Sequence, residues 1–142
     1  METAQTRDSL VGLLRRHGIN PTHQRIEIAR ALFSRHQHLS ADQVLSAVNG
    51  RHSETSKATV YNTLKLFLEK RLIREVIVDP SKVFYDPNTL PHHHFYNVDT
   101  GELADISAGE IEVRGLPALP EGMVTEGVDI VVRIRSARTN RD

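Results

Sequence analysis

The chain has 142 residues, 39% of them hydrophobic, with 18 Lys+Arg balanced by 18 Asp+Glu and no cysteine. That length holds one domain or two small ones with a core of useful size, and the missing cysteine excludes disulfides, a thiolate zinc site, an iron–sulfur cluster and a cysteine nucleophile. The zero net charge hides an asymmetry, because residues 1–71 carry 11 Lys+Arg against 6 Asp+Glu and residues 72–142 carry 7 against 12, as expected of a nucleic-acid-facing half joined to a half with other duties.

Asp8 to Arg16 places Leu10, Leu13 and Leu14 at helical spacing, and His17 and Gly18 mark its end. Asn20 and Pro21 make a break, after which Thr22 reads as the N-cap of a second helix with Ile26, Ala29, Leu32 and Phe33 in one stripe. His36 to Leu39 interrupts it. Ser40 caps a third helix through Val44, Leu45 and Val48, expected to end at Asn49 and Gly50. Ser56 opens a fourth, whose buried face is Val60, Leu64, Phe67 and Leu68. Lys57, Thr59, Tyr61, Asn62 and Lys65 lie off that stripe, the pattern of a helix-turn-helix whose second helix offers polar groups to base edges and basic ones to phosphate. His17, His23, His36 and His52 read as solvated or capping residues.

Leu72 to Val78 and Val83 to Tyr85 are strands around an Asp79–Lys82 turn, a hairpin that would be the wing of a winged helix. Asn97 to Ile106 is a second hairpin, turning at Asp99, Thr100 and Gly101. Ser107 and Glu110 have capping-box spacing for a short helix through Ile111 and Val113. Pro117 and Pro120 hold a loop open. Val128, Ile130, Val132 and Ile134 then share one face of a half-buried strand, expected to be antiparallel. Phe95–Val98, Leu103–Ile106 and Val128–Ile134 would make a three-stranded antiparallel sheet with a core too thin to stand alone, so a second copy is expected to cover it.

Between the hairpins runs YDPNTLPHHHFYNVDTGELAD, residues 85–105. In an extended chain His92 and His94 point to one face and His93 to the other. Two imidazoles make half a metal site, and a turn can return Asp86 or Asp105 to the same face. Such mixed nitrogen and oxygen donors suit iron, manganese or zinc.

The strings GINPTHQR, HLSADQVLSAV, SKATVYNTLKLFLEKRLIREV and VFYD, with the HHH run, resemble the ferric uptake regulator (Fur) superfamily across nearly the whole chain. PHHHFYNVDTGELADI with LPALPEGMVTEGVDIVVRIR is most similar to its iron response regulator (Irr) branch, and next to the peroxide-sensing (PerR) branch. The resemblance implies an α+β protein with a winged-helix DNA-binding domain and hinge over residues 1–86 and a small dimerisation and metal-sensing domain over residues 87–142. It adds His38 to the ligand set, which becomes His38, Asp86, His92, His94 and Asp105. It also implies one divalent metal per subunit, Fe2+ or Mn2+ in the cell and Zn2+ as purified, with heme at His92, His93 or His94 as a further possibility.

Departures from the family pattern matter too. Many members hold a structural zinc through two CxxC pairs; here the first pair's positions are Asn97 and Thr100, so no such zinc is expected. The N-terminal heme-regulatory Cys-Pro motif of the Irr branch is absent, and a basic minor-groove residue of some members is Asn20 here.

The mechanism this implies is a population shift. One ion would join the DNA-binding half to the dimerisation half; binding the clamped state about a hundredfold better than the open one shifts the balance by about 2.7 kcal/mol. A homodimer would set two recognition helices on a palindromic AT-rich operator in double-stranded DNA, with Tyr61 on a thymine methyl, Asn62 on adenine, and Lys57, Lys65 and Arg71 on phosphates. The regulated genes would be those of iron, heme or oxidative stress. With no apolar run of spanning length and a polar Met1–Leu10, a cytoplasmic protein without a membrane partner is expected. The rivals are a heme-responsive or peroxide-sensing regulator of the same fold and, from another class, a non-heme metalloenzyme, which a filled five-ligand set argues against.

Overall fold

The computed structural model describes residues 6–34, 38–51 and 55–138, so His36 and His52 lie outside the described residues. The chain divides into two compact units, Met1–Thr89 and Leu90–Asp142.

The first unit holds α1 (Arg7–Arg16), α2 (His23–Phe33), α3 (Ala41–Arg51) and α4 (Lys57–Glu69), then the hairpin β1 (Arg74–Asp79) and β2 (Lys82–Asp86). This is a winged helix-turn-helix. Each helix start is fixed by a hydroxyl. Thr6, Thr22 and Ser56 accept the backbone N–H groups of Ser9, Arg25 and Thr59 at 3.1, 3.3 and 3.1 Å, and Ser40 forms a reciprocal capping box with Gln43. The third helix does not stop at Asn49 and Gly50 but runs to Arg51. The Asn49 side chain receives the N–H of Thr55 and donates to its carbonyl, both at 3.2 Å.

Two helix ends use the same closure. After α1, Gly18 takes φ 73° while its N–H donates to Arg15 and that of Ile19 to Leu14. After α4, Arg71 takes φ 60° while its N–H donates to Leu68 and that of Leu72 to Phe67. Leu14, Ile26, Leu32, Val44, Val60, Leu64 and Phe67, among others, form one core with Leu72, Ile73 and Tyr85, each buried aliphatic or aromatic contributing about 1.5–3 kcal/mol.

The second unit is a sheet in the order β4 (Leu103–Ile106), β3 (His93–Asn97), β5 (Val131–Ile134). The first pair is antiparallel, but β5 lies parallel to β3, so the sheet is mixed rather than antiparallel throughout. Alternation of apolar residues marks a strand without marking its direction; the long segment from Ser107 to Ile130 carries the chain past β3 and lets it re-enter from the same end. The expected short helix is a single 3-10 turn, Ala108–Glu110. Ser107 makes no side-chain cap bond, and Gly109, Ile111, Val113 and Gly115 are poor helix formers.

Arg71 is the only non-glycine residue at positive φ among the described residues. A side chain there costs about 1–2 kcal/mol, against roughly 0.5–1 kcal/mol of extra chain entropy for glycine. Arg71→Gly is therefore expected to raise unfolding stability by about 0.5–1 kcal/mol, read as a higher urea midpoint at unchanged slope, and Arg71→Val to lower it.

Candidate functional site

In the first unit one isolated antiparallel bridge pairs Leu39 with Tyr85. Tyr85 donates its N–H to the Leu39 carbonyl at 2.7 Å, and Leu39 donates back at 3.3 Å. In such a bridge the residue before one partner stands across from the residue after the other, so His38 faces Asp86. Their side chains meet at 3.0 Å, His38 Nε2 to Asp86 Oδ2, both buried. The other carboxylate oxygen, Oδ1, accepts the Asn88 N–H at 2.9 Å, which sets the carboxylate's orientation.

In the second unit His94 and Asp105 are direct partners across β3 and β4. Asp105 Oδ1 lies 3.2 Å from His92 Nε2 and 3.3 Å from His94 Nε2, and the two rings sit 4.5 Å apart. His94 is fully buried and His92 nearly so. His93 points elsewhere, its Nδ1 accepting the Ile130 N–H at 3.0 Å.

The donor set fits a cation. His92 Nδ1 contacts the Leu90 carbonyl, which can only accept, so that nitrogen carries the ring proton. In a neutral ring Nε2 then presents a lone pair to the Asp105 oxygen. Two lone pairs repel unless a cation or a second ring proton lies between them. A backbone acceptor that fixes the tautomer of a ligating histidine is the ordinary support of a metal site. His92, His94 and Asp105 each bring a ligand atom within 4.8 Å of the others.

Of the residues expected to read DNA, Lys57, Tyr61, Asn62 and Lys65 are exposed on α4, as is Arg71 beyond its end. Tyr61 is 44% exposed, so its ring is not a wedge within the helix pair. Lys57 Nζ stands 5.7 Å from the centre of that ring and 4.0 Å from Asp42. Thr59 is half-buried, with its hydroxyl 2.9 Å from that of Ser56 in the helix cap.

The sequence pattern of the Ferric uptake regulator family matches residues 16–132. The chain belongs to this family. Its members are transcriptional regulators, not enzymes. The peroxide-responsive repressor PerR of Staphylococcus epidermidis is 30% identical over 72% of this chain and 68% of its own length. PerR of Staphylococcus aureus strain Mu50 is 34% identical over 67% of this chain and 64% of its own. Among solved structures, the ferric uptake regulator of Pseudomonas aeruginosa with manganese superposes with a TM-score of 0.67 at 27% identity, covering 89% of this chain and 97% of that one. The Vibrio cholerae ferric uptake regulator, at 19% identity and TM-score 0.69, shares the fold. Among the described residues no helix is long and apolar enough to cross a membrane.

In the turn after β3, Asn97 Oδ1 accepts the N–H groups of Asp99 and Thr100 at 2.9 and 3.1 Å, and the Thr100 hydroxyl accepts that of Glu102 at 3.2 Å. Asp99 Oδ2 accepts the Ser136 N–H at 2.8 Å, tying the end of β5 to the same turn. Side-chain amide, hydroxyl and carboxylate thus hold this corner without cysteine. The residue pattern marks the turn but not these bonds. Nor does it mark the Leu39–Tyr85 bridge or the Leu90 carbonyl, because each depends on a backbone group that any residue type would supply.

Burial raises the Tyr85 phenol above its ordinary value of 10.0, with smaller contributions from the Glu75 carboxylate and Tyr61. Below pH 10 folded and unfolded chains both hold this proton; above it the unfolded chain releases it first, so stability falls as pH rises. Thermal melts from pH 9 to 11 are expected to show a steeper alkaline loss in the parent protein than in Tyr85→Phe.

Proposed function

We propose that the protein is a metal-responsive, dimeric, DNA-binding transcriptional regulator of the Irr-like type, in which His38, Asp86, His92, His94 and Asp105 together hold one divalent ion. The observation that carries this reading is the Asp105 carboxylate set before two imidazole nitrogens, one of them with its proton fixed on the far side of the ring. Each half-set is short of a full coordination sphere, with two donors in one unit and three in the other, and Asp86 and His92 are only six residues apart in the chain. Fe2+ or Mn2+ suits these donors in the cell, and Zn2+ competes in the purified protein. The manganese-containing Pseudomonas aeruginosa relative supports the same class of ion.

The bound cation supplies positive charge that draws carboxylates and imidazoles into one geometry. His38 and Asp86 would hold it from the winged-helix unit, and His92, His94 and Asp105 from the sheet unit, so that occupancy narrows the relative freedom of the two. The exposed face of α4 then meets an AT-rich palindrome, with Lys57, Lys65 and Arg71 on phosphates and Tyr61 and Asn62 at base edges. Phe95, Val128, Val132 and Ile134 are each 37–39% exposed, apolar surface that a second copy of the chain would cover.

A peroxide-sensing role is the second reading, favoured by the Staphylococcus repressors at 30–34% identity. Peroxide would be the two-electron oxidant, one of its oxygens passing to a ligand histidine and the other leaving as water, and ferrous iron held by the same residues would supply the redox chemistry that activates it. Peptide mass analysis after peroxide treatment of the Fe(II) protein separates the two, since oxygen gained at a ligand histidine belongs only to the second.

Gel-shift titration on a short palindromic AT-rich duplex is expected to show tighter binding with Mn(II) than without. His92→Ala with His94→Ala should abolish that difference while the far-ultraviolet circular dichroism stays native. A double variant that still responds to Mn(II) would show the ion to be elsewhere. Affinity should also fall steeply between about 50 and 200 mM salt if Lys57, Lys65 and Arg71 meet phosphates.

A further inference from the structure

Three histidines in a row invite one role for all three, yet the middle one is used differently. His93 Nδ1 accepts the Ile130 N–H at 3.0 Å, across 37 residues of chain. The next residue along β3 completes the grip, since the His94 N–H donates to the Ile130 carbonyl at 3.0 Å. Ile130 is the last residue before β5, so both of its backbone polar groups are taken up by β3 where the chain returns from the long crossover. The parallel register then follows from His94 opposite Val131 to Asn97 opposite Ile134.

We propose that His93 is not a ligand but the clasp that seats β5 on the ligand-bearing strand, with its ring locked as the Nδ1-acceptor tautomer. A neutral imidazole that accepts at Nδ1 carries its proton on Nε2. Coordination of any cation through Nε2 would move that proton to Nδ1 and set it against the Ile130 N–H, donor against donor. Ligation at His93 and seating of β5 therefore exclude one another. The consequence is a division of labour along three residues: His92 and His94 turn to Asp105, while His93 decides where the strand bearing Val132 and Ile134 joins the sheet. This assignment does not depend on the metal reading, because every group in it belongs to the clasp.

The test is amide hydrogen exchange at Ile130 and along Val131–Ile134 in the metal-free, full-length protein. His93→Asn puts an amide oxygen close to where Nδ1 stands, His93→Gln carries its acceptor one bond too far, and His93→Ala removes it. Ile130 is expected to exchange about five-fold faster in the Gln and Ala variants, the loss of one hydrogen bond worth about 1 kcal/mol, and at close to the parent rate in the Asn variant. Should His93→Ala fail to fold, the Asn and Gln pair decides by itself. Equal rates in the Asn and Gln variants, or parent-like protection in His93→Ala, would overturn the assignment.

Discussion

A single carboxylate oxygen standing before two imidazole nitrogens is the constraint around which the sheet unit is arranged. Asp105 and His94 are cross-strand partners, so any slip of one residue in the β3–β4 register would send one of them to the opposite face. The turn that sets this register is closed by Asn97, Thr100 and Gly101, with Gly101 at φ 78°. Local turn chemistry thus determines whether the donors meet. His92 lies just outside β3, and its ring proton is directed by a carbonyl two residues earlier.

The winged-helix unit solves the same problem with a different device. It brings an imidazole to a carboxylate through one bridge between a loop and the returning strand of the wing. Tyr85 in that bridge also belongs to the same buried core as Val60, Leu64 and Phe67 of α4. The backbone that places His38 and Asp86 is therefore anchored in the same packed core as α4. An ion drawn to that pair would act on a segment continuous with the helix–strand core rather than on a free loop.

Much of the architecture was legible in the residues. The hydroxyl caps at Thr22, Ser40 and Ser56, the apolar stripes of the four helices, the Pro80–Ser81 hairpin and the glycine turn at Gly101 are local signals, and each produced the element expected of it. Where expectation and structure part, the deciding force came from farther along the chain. Asn49 and Gly50 read as a helix end, but α3 runs one residue farther, to Arg51, and the Asn49 side chain is taken up by the Thr55 backbone. Ser107 and Glu110 had the spacing of a cap, yet the glycines and β-branched residues that follow leave only a 3-10 turn.

The sequence alone determined the four helices, the two hairpins and the two-part charge division, and it singled out Asp86, His92, His94 and Asp105 as residues of ligand type, because period, capping chemistry and residue type are properties of neighbouring positions. His38 entered only by resemblance, since nothing within a few residues of it signals a ligand. Only the tertiary structure decided that β5 runs parallel to β3, that His93 faces Ile130, and that Leu39 pairs with Tyr85. Each sets a backbone group of one residue against a partner 37 or more residues away. Backbone amides and carbonyls are common to every residue type, so their partners are settled when the chain packs and leave no mark in its letters.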